Sequence, residues 1–254
     1  MKIFLSPAKT MRESLRAYTS LPIFQKEGEE IRRDLSLKSV PELQRLWKCS
    51  QRIAEASLKG LQSNRLSPTL FRFDGVAFVS MDPDHLDEGA LRYLDEHLRI
   101  FSAVYGLLRP MDGIPFYRMD YGSDYKKDGQ SLSSYYGKRV GEIMRKEEGP
   151  YINLASQEYF SPIRPYLPKE EVIDFLFYKR KDGKLLSSSV QSKQCRGALT
   201  REMAIHKAKT LEDIKRLTPN GFVYLESMST PNEWVYVLEA EEAKEKRPRK
   251  EFDW

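Results

Sequence analysis

Apolar residues along this chain recur at two spacings, and the spacing assigns the elements. Residues 2–6, KIFLS, are a short apolar run halted by Ser6-Pro7, which predicts a strand and a turn. From about 26 to 63 the spacing is helical. Ser39 followed by Pro41 marks one helix start, and Leu43, Leu46, Trp47, Ile53, Ala54 and Leu58 form a stripe expected in the core. GVAFVS at 75–80 reads as a buried strand. Asp82-Pro83-Asp84 then opens a helix, with Asp84 as its cap and Asp87 in the first turn. Leu91, Leu94, Leu98, Phe101, Tyr105 and Leu108 carry that helix to near Val104. Gly106, Arg109-Pro110, Asp112-Gly113 and Ile114-Pro115 end regular structure soon after.

Farther on, Tyr135, Tyr136, Val140, Ile143 and Met144 predict a helix over about 130–147, with Lys138, Arg139 and Arg145 outside. YINLAS at 151–156 is a strand running into a turn. EVIDFLFYK (171–179) and KLLSSSVQS (184–192) predict a hairpin about Asp182-Gly183. A helix over 193–209 and two strands, GFVYLESMS (221–229) and EWVYVLEA (233–240) joined at Pro231-Asn232, complete the chain. Together these predict a mixed α/β fold, a single compact domain over 1–243 whose mixed sheet is flanked by helices.

Composition supports that picture. At 254 residues, 40% apolar and 11% aromatic, the chain can build a sizeable core. No run approaches the roughly 18–20 apolar residues of a transmembrane helix, and the start lacks a signal-peptide core. Cys49 and Cys195 have no CxxC spacing, so neither a disulfide framework nor a zinc site is expected. A soluble, cytoplasmic protein is expected. The net charge of +5 permits a nucleic-acid partner without demanding one. The tail from Lys244, KEKRPRKEFDW, is basic and expected to be a mobile, solvated end.

The chemistry concentrates in three places. The stretch 97–122 sets Arg99, Arg109 and Arg118 among Tyr105, Phe116, Tyr117 and Tyr121, a composition suited to phosphate or base recognition. Ser6, Lys9 and Thr10 follow the first strand; Asn153, Ser156, Gln157, Glu158 and Tyr159 follow another. Strand ends are where open α/β sheets collect ligands. Lys193, Arg196, Gly197 and Arg201 read as the first turns of a helix, where cations oppose the macrodipole unless an anion binds. No Walker loop, G-x-S-x-G elbow, HExxH or GxGxxG is present. His85, His97 and His206 lack partners at metal-ligand spacing, and DPDHLDE lacks the glycine of a calcium loop. No metal and no cofactor is expected, and no residue is marked as a nucleophile. Glu158, beside Asn153 and Ser156, is the best acid–base candidate.

SPAKT at 6–10, HLRIFSAVYGLLRPMDGIPFYRMDYG at 97–122, YINLASQEYF at 151–160 and KQCRGALTREM at 193–203 resemble, in order and spacing, the YaaA peroxide-stress proteins. The resemblance runs from the first strand to the last. It implies an α/β fold of unusual topology with a positively charged cleft, and a helix-hairpin-helix-like element that binds duplex DNA, preferring distorted DNA. It further implies protection against hydrogen peroxide, with lowered intracellular free iron and less DNA damage. Carried onto this chain, that element is the helix ending near Val104, the turn at Tyr105-Gly106 and the segment from Arg109. Ala103 stands where relatives tend to have glycine, so Arg99 and Arg109 are expected to carry more of the contact.

The leading expectation is therefore a stress protein binding DNA, tolerant of sequence, through a cleft of Lys9, Arg99, Arg109, Arg118, Lys193, Arg196 and Arg201. Ser6, Thr10, Tyr105, Gly106 and Gly197 are expected beside them. The alternative is an enzyme on a nucleotide or damaged nucleic acid, using Ser6, Lys9, Asn153, Ser156 and Glu158 in a strand-end pocket. Direct iron sequestration finds little support in three scattered histidines and two isolated cysteines. A monomer away from membranes is favoured.

Overall fold

A computed structural model describes residues 1–239. Both the basic tail from Lys244 and the last residue of the predicted 233–240 strand lie outside the described residues. The amino-terminal half runs β1 (Lys2–Leu5), α1 (Gln25–Ser36), α2 (Val40–Trp47), α3 (Gln51–Leu61), β2 (Ser67–Pro68), α4 (Thr69–Arg72), α5 (Val76–Met81), α6 (Glu88–His97), β3 (Leu98–Ser102), β4 (Gly106–Leu108) and β5 (Gly113–Ile114). There follow β6 (Lys126–Lys127), β7 (Gln130–Ser131), α7 (Leu132–Met144), β8 (Tyr151–Leu154), α8 (Gln157–Phe160), β9 (Val172–Lys181), β10 (Lys184–Leu186), α9 (Ser189–His206), α10 (Leu211–Lys215), β11 (Val223–Tyr224) and β12 (Glu233–Glu239).

One mixed sheet carries the fold, in the order β11-β12-β9-β8-β1-β3-β4, with β10 paired to β9. The central strands β12, β9, β8, β1 and β3 are parallel. Parallel strands are covered on both faces and read as unbroken apolar runs, which is why IFL of β1 and YINL of β8 are wholly buried. From β1 the chain travels to β3 on one side; from β8 it travels to β9 on the other. The two exits diverge and leave a crevice outside the carboxyl ends of β1 and β8, the place where such sheets bind ligands.

Several helices form as their signals indicate. Ser39 and Glu42 make a capping box with Pro41 in the first turn of α2. Leu43, Trp47 and Ala54 are buried, whereas Ile53 of the predicted stripe is 42% exposed. Tyr136, Val140 and Met144 face the core from α7, which Ser131 caps through Ser134 N. Asp182 and Gly183, both at positive φ, turn β9 into β10 as predicted.

Five assignments differ. Residues 76–81 are helical, because a short, largely apolar run does not distinguish a strand from a helix. The burial is helical too: Phe78 and Met81 point inward while Val79 is 66% exposed. The next helix is capped by Asp87, which accepts from Ala90 N at 2.7 Å; Asp84 lies in a preceding 3-10 turn, paired with Arg12. That helix ends at His97. Leu98–Ser102 leaves it as β3, all five residues buried beside β1, and Gly106 at φ +65° turns the chain back antiparallel as β4. The implied helix-hairpin-helix-like element is thus a helix followed by a buried β-hairpin, because a fully buried strand carries the same apolar density as a helical stripe. Last, α9 starts at Ser189, capped by Ser188. The serines assigned to a strand are a helix cap, and β10 stops at Leu186. Near the carboxyl end only Val223–Tyr224 of the predicted 221–229 strand is extended; a 3-10 turn at Glu226–Met228 follows.

A candidate site at the carboxyl ends of β1 and β8

The loops that leave β1 and β8 are joined by serines. Ser6 Oγ accepts from Ser156 N at 2.8 Å and donates to Ser156 Oγ at 3.2 Å. Beyond them lies a pocket of about 330 Å³ whose polar wall is Ser6, Lys9, Asp120, Glu158, Lys193 and Arg196. Leu5, Phe78, Leu154 and Tyr159 supply apolar lining. Its size and its mixture of apolar surface with a few converging polar groups are those of a small-molecule site.

Charge in the pocket is mixed. Lys9 Nζ pairs with Asp120 Oδ2 at 2.5 Å, and Glu158 Oε1 accepts from Gly122 N at 3.1 Å. A Cβ at Gly122 would lie 3.5 Å from Asp120 Oδ1 and 3.8 Å from Glu158 Oε1, so the two carboxylates flank that glycine. Tyr159 stacks on Tyr121 at 4.8 Å between ring centroids. Burial holds the Tyr159 hydroxyl well above its ordinary pKa, with the Glu158 and Asp120 charges adding to the shift, so it stays protonated.

Arg196 lines this pocket and an adjoining one of about 320 Å³ that also contains Asn153, Arg164 and Asp174. Asp174 is already engaged: Arg164 Nη2 reaches its oxygens at 2.6 and 2.7 Å, and Asn153 Nδ2 donates at 2.6 Å. Arg196 Nε is buried and, among the described residues, has no hydrogen-bond partner. Burial pushes the Arg196 pKa below the usual guanidinium value, against the pull of Asp174.

The other expected site residues are distributed as follows. Arg118 donates to Lys9 O at 3.3 Å, behind the mouth of the pocket. Thr10 bonds Asp74 O and lines a separate groove with α9. Asn153 serves the second pocket rather than the first. Arg99, level with Phe4 of β1, and Arg109, next to the end of β4, line a separate groove with Lys2, Asp95 and Met111 and not the strand-end pocket. There Arg99 is 7% exposed and bonded to Glu147, and Arg109 pairs with Asp112. Tyr105 is buried with its hydroxyl on Glu29, and Gly106 faces Phe24 and Tyr136. Arg201 donates to Met81 O and Asp82 O, closing the end of α5. Gly197 meets the backbone of Ala77. Because α9 begins at Ser189, Arg196 and Arg201 lie about two and more than three turns in, beyond reach of the macrodipole argument.

Asp120, Arg164 and Asp174 were not anticipated. Asp120 stood in RMDYG, inside a stretch read for its cations; Asp174 stood in an apolar strand, where an acid is a sign of a buried partner. Among the described residues, no group of three or more His, Cys, Asp or Glu side chains is placed to hold a metal ion. No helix among them is long and apolar enough to cross a membrane.

The family model described as peroxide stress protein YaaA matches residues 1–228. Relatives named UPF0246 protein are similar over nearly the whole chain. The one from Finegoldia magna is 36% identical, covering 93% of this chain and 98% of its own length. That from Lactiplantibacillus plantarum is 32% identical, covering 94% and 100%, and that from Pediococcus pentosaceus 30%, covering 93% and 98%. With the match extending from β1 through both loops of the pocket and α9, the chain belongs to the YaaA family of peroxide stress proteins.

Proposed function

We propose that this protein acts in the cytoplasmic response to peroxide by binding duplex or distorted DNA without reading its sequence, an action that accompanies lowered free iron. The observation that carries the reading is the meeting of Lys9, Lys193 and Arg196, from the β1 exit and α9, at one pocket, with Arg118 behind Lys9. Lys9 and Lys193 are exposed, and Lys9 would exchange its Asp120 partner for a phosphate; contacts of this kind position a duplex rather than specify it. Arg99 and Arg109, which line a different groove, have no part in it.

The test is duplex binding by fluorescence anisotropy across a salt series. Removing a cation that neutralises one phosphate lowers the log–log salt slope by about 0.9, so Lys9→Ala with Lys193→Ala lowers it by about 1.8. Arg109→Ala leaves it unchanged. Equal slopes for the double variant and the parent refute the assignment.

A second reading, an enzyme acting on a nucleotide or damaged nucleic acid, is favoured by one observation: Asp120 and Glu158 flank Gly122 with Lys9 alongside, an acid–base set in a pocket. Product formation from damaged-base oligonucleotides, abolished in Glu158→Gln, supports it. Binding without product in the parent protein leaves the DNA-binding reading alone.

A further inference from the structure

A surface that only grips a phosphate backbone needs cations on exposed ridges. This pocket has more. It is a cavity of about 330 Å³ with an apolar lining, two carboxylates that a backbone would repel, and one arginine whose Nε is buried without a partner among the described residues. A partly buried guanidinium lacking an acceptor among the described residues is destabilising, and Asp174, whose charge acts on it, is held by Arg164 and Asn153. Its unmet donor is a place for an acceptor from outside, and an anion makes the strongest bond to a guanidinium.

The carboxylates require the opposite. Asp120 gives one oxygen to Lys9, Glu158 gives one to Gly122 N, and the remaining oxygens accept only. A ligand that satisfies both ends carries an anion on one side and hydrogen-bond donors on the other, with a flat apolar body to lie against Phe78 and Tyr159. Guanine, adenine and cytosine carry exocyclic amino donors, and guanine adds N1–H beside its amino group; thymine turns carbonyls toward the same groups.

We propose that the strand-end pocket binds one nucleoside monophosphate unit, its phosphate on Arg196 and the amino-bearing edge of its base on Asp120 and Glu158. The proposal rests on the DNA-binding reading for its macromolecular source. Within DNA such a unit reaches the pocket only when unpaired and swung out of the stack, which costs least where the duplex is already distorted. A free nucleotide presents the same chemistry.

The probes are dGMP and dTMP, measured by calorimetry, and two duplexes measured by anisotropy, one fully paired and one with a single unpaired dG. The expected result is dGMP binding at least about tenfold tighter than dTMP, the discrimination of one good base-edge contact. Arg196→Ala weakens dGMP by about tenfold or more, and Arg196→Lys, which keeps the charge and loses the fork, by less. Glu158→Gln narrows the dGMP-to-dTMP ratio. Preference for the unpaired-dG duplex identifies DNA as the source; dGMP binding without that preference identifies a free nucleotide, and both sustain the pocket. No dGMP binding up to about 5 mM with no preference between duplexes overturns the proposal and leaves backbone binding standing. Equal affinity for dGMP and dTMP overturns the base assignment. Absence of any duplex binding, with dGMP still bound, refutes the DNA reading and not this one. The parent comparison needs no variant to fold.

Discussion

Replacing Gly197 by alanine tests whether α9, the helix that carries Lys193 and Arg196, is held where it is by close packing. A Cβ at Gly197 would fall 1.9 Å from Ala77 O and 2.7 Å from its carbonyl carbon. An unstrained carbon–oxygen contact is about 3.3 Å, so α5 and α9 must part by roughly 1.4 Å. The obstacle is backbone inside α5 and cannot rotate aside. Bonds on either side of the glycine resist the movement: Ser80 Oγ donates to Gln194 O at 2.8 Å, and Arg201 donates to Met81 O at 2.9 Å and Asp82 O at 2.7 Å. Overpacking costs about 1–3 kcal/mol, and weakening one or two of these bonds about 1 kcal/mol each. Gly197→Ala is therefore expected to lose about 2–5 kcal/mol, lowering Tm by roughly 4–20 °C in a chain of this size. Urea denaturation measures it. Gly129→Ala is the control: its Cβ meets nothing within 4 Å, and only its φ of +77° resists, so about 1–2 kcal/mol is expected. A loss for Gly197→Ala below about 0.5 kcal/mol, the scatter of ordinary surface changes, refutes the packing argument. If DNA binding then fell while stability held, Gly197 would be serving a phosphate instead.

Arg99→Ala removes a guanidinium bonded to Glu147 and to Asp95 O and Leu98 O, while Lys2 still pairs with Glu147; the expected result is about 2–4 kcal/mol less stability in urea with no change in the DNA salt slope. A changed slope would return Arg99 to the DNA interface. Burial alone would raise the Glu147 pKa, but its bonds to Lys2 and Arg99 outweigh burial and hold it below 4.5. A carboxyl depressed by folding stabilises above its unfolded value and loses that contribution as pH falls through the folded one. The stability difference between the parent and Glu147→Gln should therefore be full at neutral pH and shrink below about pH 4.5; a difference that does not vary with pH refutes the pairing. The Cys195 thiol is buried and pushed up to about 12, so at pH 8 only Cys49 should react with a thiol reagent until denaturant is added; equal rates for both would show that α9 opens readily.

Much of the fold is legible in the sequence where one local signal has one outcome. Ser39, Pro41 and Glu42 start a helix by hydrogen bonds within four residues, and Asp182-Gly183 turns a hairpin because both residues tolerate positive φ. Two apolar stretches were not legible. GVAFVS becomes a helix and LRIFS a strand, although both are short, apolar and β-branched or aromatic. The first is held as a helix against α9, and β1 offers the second an edge to pair with. Neither fact is local.

The candidate site divides in the same way. Residue types and positions past strand ends pointed to Ser6, Lys9, Ser156 and Glu158, because parallel sheets gather loops at their carboxyl ends whatever the loops contain; Arg196 was read as part of a helix start, and its place in the pocket comes from the packing of α9. Arg99 and Arg109 looked equivalent in the sequence. Their place was decided by tertiary packing, which puts Arg99, level with Phe4 of β1, and Arg109 in a groove with Lys2 and Asp95 and away from the strand-end pocket. Asp120 and Asp174, silent in the sequence, gained significance from neighbours over a hundred residues away or across the sheet. By itself the sequence determined the element types where capping and turn chemistry were unambiguous, the chemistry available at the strand ends, and the family. The tertiary structure alone decided which cations share a pocket and which acids neutralise them, because charges act through space and strand order is set by pairing between distant segments.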